Sequence, residues 1–267
     1  MGLIWRAHAL AWLALGCACG AILSGCGGGQ QASAAAGTSP HRPAAPAAAG
    51  TARTPAKAGS AAAPSRAQAL AYARAVNLTA SDIPGASATA QRSRRSNALE
   101  HLQYRACEAS VQHVREIAKA ASPKLSRGSG METEELSSSV MVLDSEHGIE
   151  REFAQLEAPK VRDCMVHVLN RWVANKTLRA ARWRGVTLSR LPVHLAGASD
   201  AIGMRAVVAV EIPASEVSIP FYVDELGFAT GRTEVSVTAA SPTQPVPAAT
   251  EQELLTLLLA RARSTSL

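Results

Sequence analysis

Past Arg184 the apolar residues of this chain stop recurring every three or four positions and begin to recur every second one. Met204, Ala206, Val208, Val210 and Ile212 alternate with Arg205, Val207, Ala209 and Glu211. Val217, Ile219, Phe221 and Val223 alternate with Glu216, Ser218, Pro220 and Tyr222, and Thr233, Val235, Val237 and Ala239 with Arg232, Glu234, Ser236 and Thr238. A period of two is that of a strand with one buried and one wet face. Val186, Leu188, Leu191 and Val193, bracketing Arg190, read as an earlier strand of the same kind. The connections Pro213-Ala214 and Asp224 to Gly231 are short enough for antiparallel hairpins, so Asp224 reads first as a turn former and second as a ligand contact.

Upstream the period is helical. Arg66 to Val76 carries Ala69, Leu70, Ala73 and Val76 as a stripe, with Ser65 as N-cap. Asn77 to Gly85 reads as an exit turn and residues 86–96 as an exposed, Arg-rich loop. Leu99 to Ala120 reads as a helix, Ser122 to Gly130 as a loop and Leu136 to Leu143 as a strand. Glu146 to Leu156 and Pro159 to Val173 read as two helices, Pro159 fitting a first helical turn. Ala249 to Arg263, with Leu254, Leu255, Leu257, Leu258 and Leu259, closes the chain as an apolar helix. Helices, a strand, two helices, a meander and a helix describe an α+β domain, an antiparallel sheet packed by helices, rather than a βαβ repeat.

The N-terminus is of another kind. Residues 1–25 have the layout of a secretory signal: one charge at Arg6, an apolar run Ala9 to Ile22, and small residues before Cys26. The run is short for a membrane span, which needs about 20 apolar residues. Leu23-Ser24-Gly25-Cys26 resembles the bacterial lipobox; Cys17 and Cys19 follow poorer triplets. The resemblance implies a diacylglyceryl group on Cys26 and anchoring in the bilayer by two or more acyl chains. Residues 26–65 then form a tether of Gly, Gln, Ala, Ser, Thr and Pro with no acidic or aromatic residue, too poor in apolar surface to offset its chain entropy. Residues 66–267 are left as a single domain with an adequate core.

Charge argues against a nucleic-acid partner. Four of the 27 Lys and Arg residues and none of the 21 Asp and Glu residues precede position 66, so a formal charge of +6 falls to +2 in the domain. A nucleic-acid protein concentrates its positive charge on the folded face. Arg179, Arg182, Arg184 and Arg190 make one local basic run, read as a solvated helix end and strand start.

Two cysteines remain after Cys17, Cys19 and Cys26 are assigned to the signal and the lipid. In an exported domain Cys107 and Cys164 are expected to pair as a disulfide; the competing reading is a reactive thiol beside His167. No H-E-x-x-H, G-x-S-x-G, S-x-x-K or P-loop pattern occurs, so no catalytic residue and no cofactor or metal is assigned. Asp163 and His167, four apart on a helix, lack a third metal ligand and read as a helix-face contact. Glu132, Glu134 and Glu135 read as a solvated acidic loop.

Three stretches carry a family resemblance: YARAVNLTASDIPG, SSSVMVLDSEHGIEREF with VRDCMVHVLNRW, and IPFYVDELGFATGRTEVSV. With them the chain resembles exported actinobacterial lipoproteins and kinase sensor domains, the PknH-type extracellular sensor and LpqN-type lipoproteins among them. The resemblance implies a helix-packed sheet of the PsbP/Mog1-like kind with a concave ligand face. Those sensors often carry two disulfides, whereas one pair is available here. The expectation is a lipid-anchored protein on the extracytoplasmic face of the cell membrane, non-catalytic, binding a hydrophobic small molecule or an envelope protein. Met204, Phe221, Tyr222 and Asp224 are the candidate groove residues. The alternatives are a scaffold for another envelope protein with no small ligand and, last, a hydrolase without a recognisable motif.

Overall fold

The computed structural model describes residues 63–90, 107, 115–156, 158–174, 182–212 and 217–267. The signal, Cys26, the tether up to residue 62, Arg179, His101, His113 and the Pro213-Ala214 connection lie outside the described residues.

Eight strands form one antiparallel sheet: β1 (Ser87–Thr89), β2 (Glu116–Ala121), β3 (Lys124–Arg127), β4 (Glu134–Leu143), β5 (Arg182–Leu191), β6 (Asp200–Ile212), β7 (Val217–Thr230) and β8 (Thr233–Pro242). Their order is β1-β3-β4-β8-β7-β6-β5, with β2 pairing β4 beside that path. Four helices whose full span is described pack on it: α1 (Arg66–Val76), α2 (Glu146–Leu156), α3 (Pro159–Ala174) and α4 (Ala248–Ser264). This is the expected α+β architecture.

Strand parity divides the core in two. On one face Val140, Val142, Leu226, Phe228, Val235 and Val237 meet Ala69, Val76, Leu255 and Leu258 of α1 and α4. On the other face Met141, Ile202, Met204, Val208 and Val223 meet Ile149 and Phe153 of α2 and Met165 and Leu169 of α3. Every strand that contributes to both clusters does so with adjacent residues, as the pleat requires.

Helix α1 starts where the sequence signals it. The Gln68 amide donates to Ser65 Oγ at 3.3 Å and the Ser65 amide donates to Gln68 Oε1 at 3.0 Å, a reciprocal cap that satisfies two otherwise unpaired donors. Cys107 is helical and joins Cys164 of α3, with Cα atoms 5.6 Å apart. The bond closes a loop of 57 positions, worth about 4 kcal/mol if denatured-chain entropy alone sets its effect.

Four sequence expectations are corrected. The helix expected to Ala120 gives way by Glu116 to β2, because pairing with Leu143 to Ser139 of β4 outweighs the helical preference of Ala, Lys and Glu. The loops expected over 86–96 and 122–130 contain β1 and β3. Of the three acidic residues expected in a solvated loop only Glu132 is exposed outside a strand; Glu134 pairs with Arg127 and Glu135 with Lys124 across β3 and β4. Asp224 is no turn former: β7 runs on to Thr230, and the reversal is the two-residue turn Gly231-Arg232, with Gly231 at a φ of 54° that favours glycine.

Candidate functional site

The parity of β7 places the four candidate groove residues. Met204 and Phe221 face α2 and α3, whereas Tyr222 and Asp224 point to the opposite side. The four residues therefore do not share one groove; they lie two on each face of the sheet.

On the first face the corner between α2 and α3 stands over the edge of the sheet. Leu156, the last residue of α2, Arg162 in the first turn of α3, Ser189 and Arg190 of β5, and Ile202 and Met204 of β6 line a cleft of about 20 Å³. Arg190 and Met204 are direct cross-strand partners and so share that face. The floor of Leu156, Ile202 and Met204 is buried, while Arg162, Ser189 and Arg190 are exposed at the rim. Helix α3 opens with Lys160 and Arg162 and has no acidic residue in its first turn, the end where a helix dipole favours negative charge.

Helix α3 is hydrogen-bonded to β5 near its far end. Asn170 Nδ2 donates to the Val186 carbonyl at 3.2 Å and Oδ1 accepts the Val186 amide at 2.9 Å. The side-chain amide thus takes the place of a neighbouring strand and closes the sheet edge there. One end of α3 is fastened at Val186 while its start, at Arg162, stands beside Ser189 and Arg190 with the cleft between.

On the opposite face lies a buried charged group. Arg205 of β6 and Asp224 of β7 are direct cross-strand partners, and Arg205 donates to both carboxylate oxygens, at 2.6 and 2.7 Å. The Arg205 guanidinium also lies 5.9 Å from the centre of the Tyr222 ring, in cation–π range. Glu251, in the first turn of α4, is buried above this pair. Burial first, and then the hydrogen bond and charge of Asp224, push the Glu251 carboxyl up to about 8. At neutral pH it is therefore protonated and holds α4 to the sheet without a second buried charge. On the helix-covered first face Glu225 is fully buried; burial holds its carboxyl well above the usual carboxylate range despite a hydrogen bond from Thr238 Oγ1 at 2.8 Å.

Among the described residues no three His, Cys, Asp or Glu side chains converge as a metal site, and Asp163 and His167 lie exposed on α3. Cys164 is joined to Cys107, so the reactive-thiol reading falls for that residue. Sequence reasoning missed Leu156, Arg162, Ser189 and Ile202 as cleft residues, and Arg190 entered it only as part of a solvated basic run. The adjacency of Phe221 and Tyr222 was a usable signal, since neighbours on one strand cannot line one groove.

No protein-family model matches the chain, and no curated protein matches it. Among solved structures it is similar to the extracellular domain of PknH from Mycobacterium tuberculosis, at 13% identity and a TM-score of 0.29, over 53% of this chain and 63% of that one. That likeness is loose and carries no argument about ligand or activity.

Proposed function

We propose that this chain is a lipid-anchored protein of the extracytoplasmic face of the cell membrane whose single domain, residues 66–267, binds a protein partner and catalyses nothing. The observation that carries the reading is Leu23-Ser24-Gly25-Cys26 at the end of an apolar N-terminal run, a triplet and cysteine that match an acylation site. The Cys107–Cys164 disulfide supports it, because such bonds persist in oxidising compartments. No helix among the described residues is long and apolar enough to cross a membrane. In this reading the bilayer is held through Cys26 and the tether of residues 26–65 sets the domain's reach from it.

At the cleft beside Met204 a protein side chain is preferred to an enclosed hydrophobic ligand on grounds of size. Small-molecule pockets usually enclose about 300–1,000 Å³. The cleft beside Met204 is about 20 Å³, room for the tip of one side chain rather than for an enclosed molecule.

The experiment is intact mass measurement of the protein extracted from membranes, alongside Cys26→Ala. The expected mass begins at Cys26 and carries a diacylglyceryl and an acyl group, and the variant lacks both. A soluble, unacylated wild-type product, or one retaining residues 1–25, overturns the anchoring.

A further inference from the structure

The fold treats its methionines in two ways. Met141, Met165 and Met204 are 0%, 5% and 7% exposed, and all three belong to the one core cluster on the face of α2 and α3. Met131 is 46% exposed. Among the described residues only Val217 and Leu267 are large apolar side chains standing comparably far into solvent, and neither carries a reactive atom. Met131 carries a thioether sulfur.

Its place in the fold is built. Met131 sits in the 3-10 turn Gly130–Glu132, at the top of the connection between β3 and β4. Arg127 and Glu134 pair across the base of that connection. The Glu132 amide donates to the Ser129 carbonyl at 3.2 Å, and the Thr243 hydroxyl donates to the Met131 carbonyl at 3.4 Å. Gly128 admits the path: its φ is 80°, and a Cβ there would lie 2.4 Å from the Glu132 carbonyl oxygen. The backbone of Met131 is thus held while its side chain is presented to water.

We propose that Met131 is a site of reversible oxidation, at which a peroxide transfers one oxygen atom to the sulfur and leaves a sulfoxide. With hydrogen peroxide the O–O bond breaks as the S–O bond forms. The thioether loses two electrons, the peroxide gains them, and water departs. The reaction needs contact between oxidant and sulfur, which burial denies to the other three methionines. Tolerance of the product divides the same way. A sulfoxide is polar and chiral, and within the cluster of Met141, Met165 and Met204 it would disrupt packing. At Met131 it meets solvent. The oxidised domain keeps its fold and loses one of its few exposed apolar groups, so contacts made at this end of the sheet answer to oxidant. Methionine sulfoxide reductases reverse the step, the oxygen leaving as water while a dithiol is oxidised to a disulfide. The site does not depend on the partner-binding reading above.

The test exposes the full acylated chain in nanodiscs to hydrogen peroxide and follows each methionine-bearing peptide by mass. Met131 is expected to take up oxygen at least about tenfold faster than Met141, Met165 or Met204, because exposure governs the rate. The melting temperature should stay unchanged at one oxygen per chain. Reductases for both sulfoxide epimers, supplied with dithiothreitol, should restore the mass. Met131→Leu keeps an apolar side chain at an exposed position and should lose the fast uptake alone. Similar rates at all four methionines, a faster core methionine, fast uptake that survives in Met131→Leu, or unfolding with the first oxygen overturns the site. A mass that neither reductase restores overturns its reversibility. Protein recovered from peroxide-treated cells should carry more oxygen on Met131 than protein from untreated cells; equal amounts overturn its use in the cell.

Discussion

Arg205 and Asp224 face each other across β6 and β7, joined by two hydrogen bonds of 2.6 and 2.7 Å on the face that α4 covers. Asp224 is wholly buried and Arg205 largely so. Removing one member of such a pair leaves a buried charge without compensation, at a cost of about 3–5 kcal/mol, whereas replacing both with apolar residues of similar size is often near neutral. Arg205→Met is therefore expected to destabilise by about 3 kcal/mol or more, and Arg205→Met/Asp224→Leu by clearly less. Denaturant unfolding of the two variants checks this, and a double variant worse than the single one refutes it.

Asn170 offers a test of how α3 is held. Asn170→Ala removes both hydrogen bonds to the Val186 backbone and leaves an edge amide and carbonyl to find water. The expected loss is about 1–3 kcal/mol. The Val186 amide should also exchange with solvent much faster while the β7–β8 amides stay protected. Uniform acceleration across the sheet would mean that Asn170 supports global stability rather than this edge.

The meander was legible from sequence because burial alternates wherever one sheet face is wetter than the other, as in β6, where Met204, Ala206, Val208 and Val210 are buried and Arg205, Val207 and Ala209 are half-buried. The cap at Ser65 was legible because capping is local. The second half of β7 was not. Asp224, Glu225 and Gly227 are poor strand formers, and what admits them is Arg205 on the strand to one side and Thr238 on the strand to the other, partners set by register. For the same reason β2 looked helical: its Ala, Lys and Glu residues acquire strand character only from β4. The cleft was illegible because its six residues come from four elements, and only Met204 stood out by itself.

The disulfide gives a prediction of bounded size. Reduction of Cys107–Cys164, or Cys107→Ser/Cys164→Ser, is expected to destabilise by up to about 4 kcal/mol through loop entropy. Because Cys164 lies two residues after Arg162, the change should also weaken any ligand of the cleft. Thermal unfolding with and without reductant measures the first effect. Unchanged unfolding would mean that the bond does not form in the isolated protein.

Two carboxyl groups pull the stability of this domain in opposite directions as pH changes. Burial alone would raise Asp82, but hydrogen bonds from Arg261 and from the Thr79 amide and hydroxyl outweigh it and hold the carboxyl below 3.8. Its stabilising contribution is present above the unfolded value and is lost as pH falls through the folded one. Glu251 behaves in reverse. Its carboxyl is raised from 4.5 to about 8, so the folded state keeps a proton that the unfolded chain has released. That contribution is complete below 4.5 and is lost progressively as pH rises to about 8, beyond which the curve flattens. Glu251→Gln keeps a donor for Asp224 and removes the titration. Its melting temperature is expected to match wild type near pH 4, to exceed it at pH 8, and to show a shallower decline between them. Parallel wild-type and variant curves from pH 4 to 9 would mean that Glu251 is ionised in the fold, and that α4 is fastened over Asp224 by something other than a shared proton.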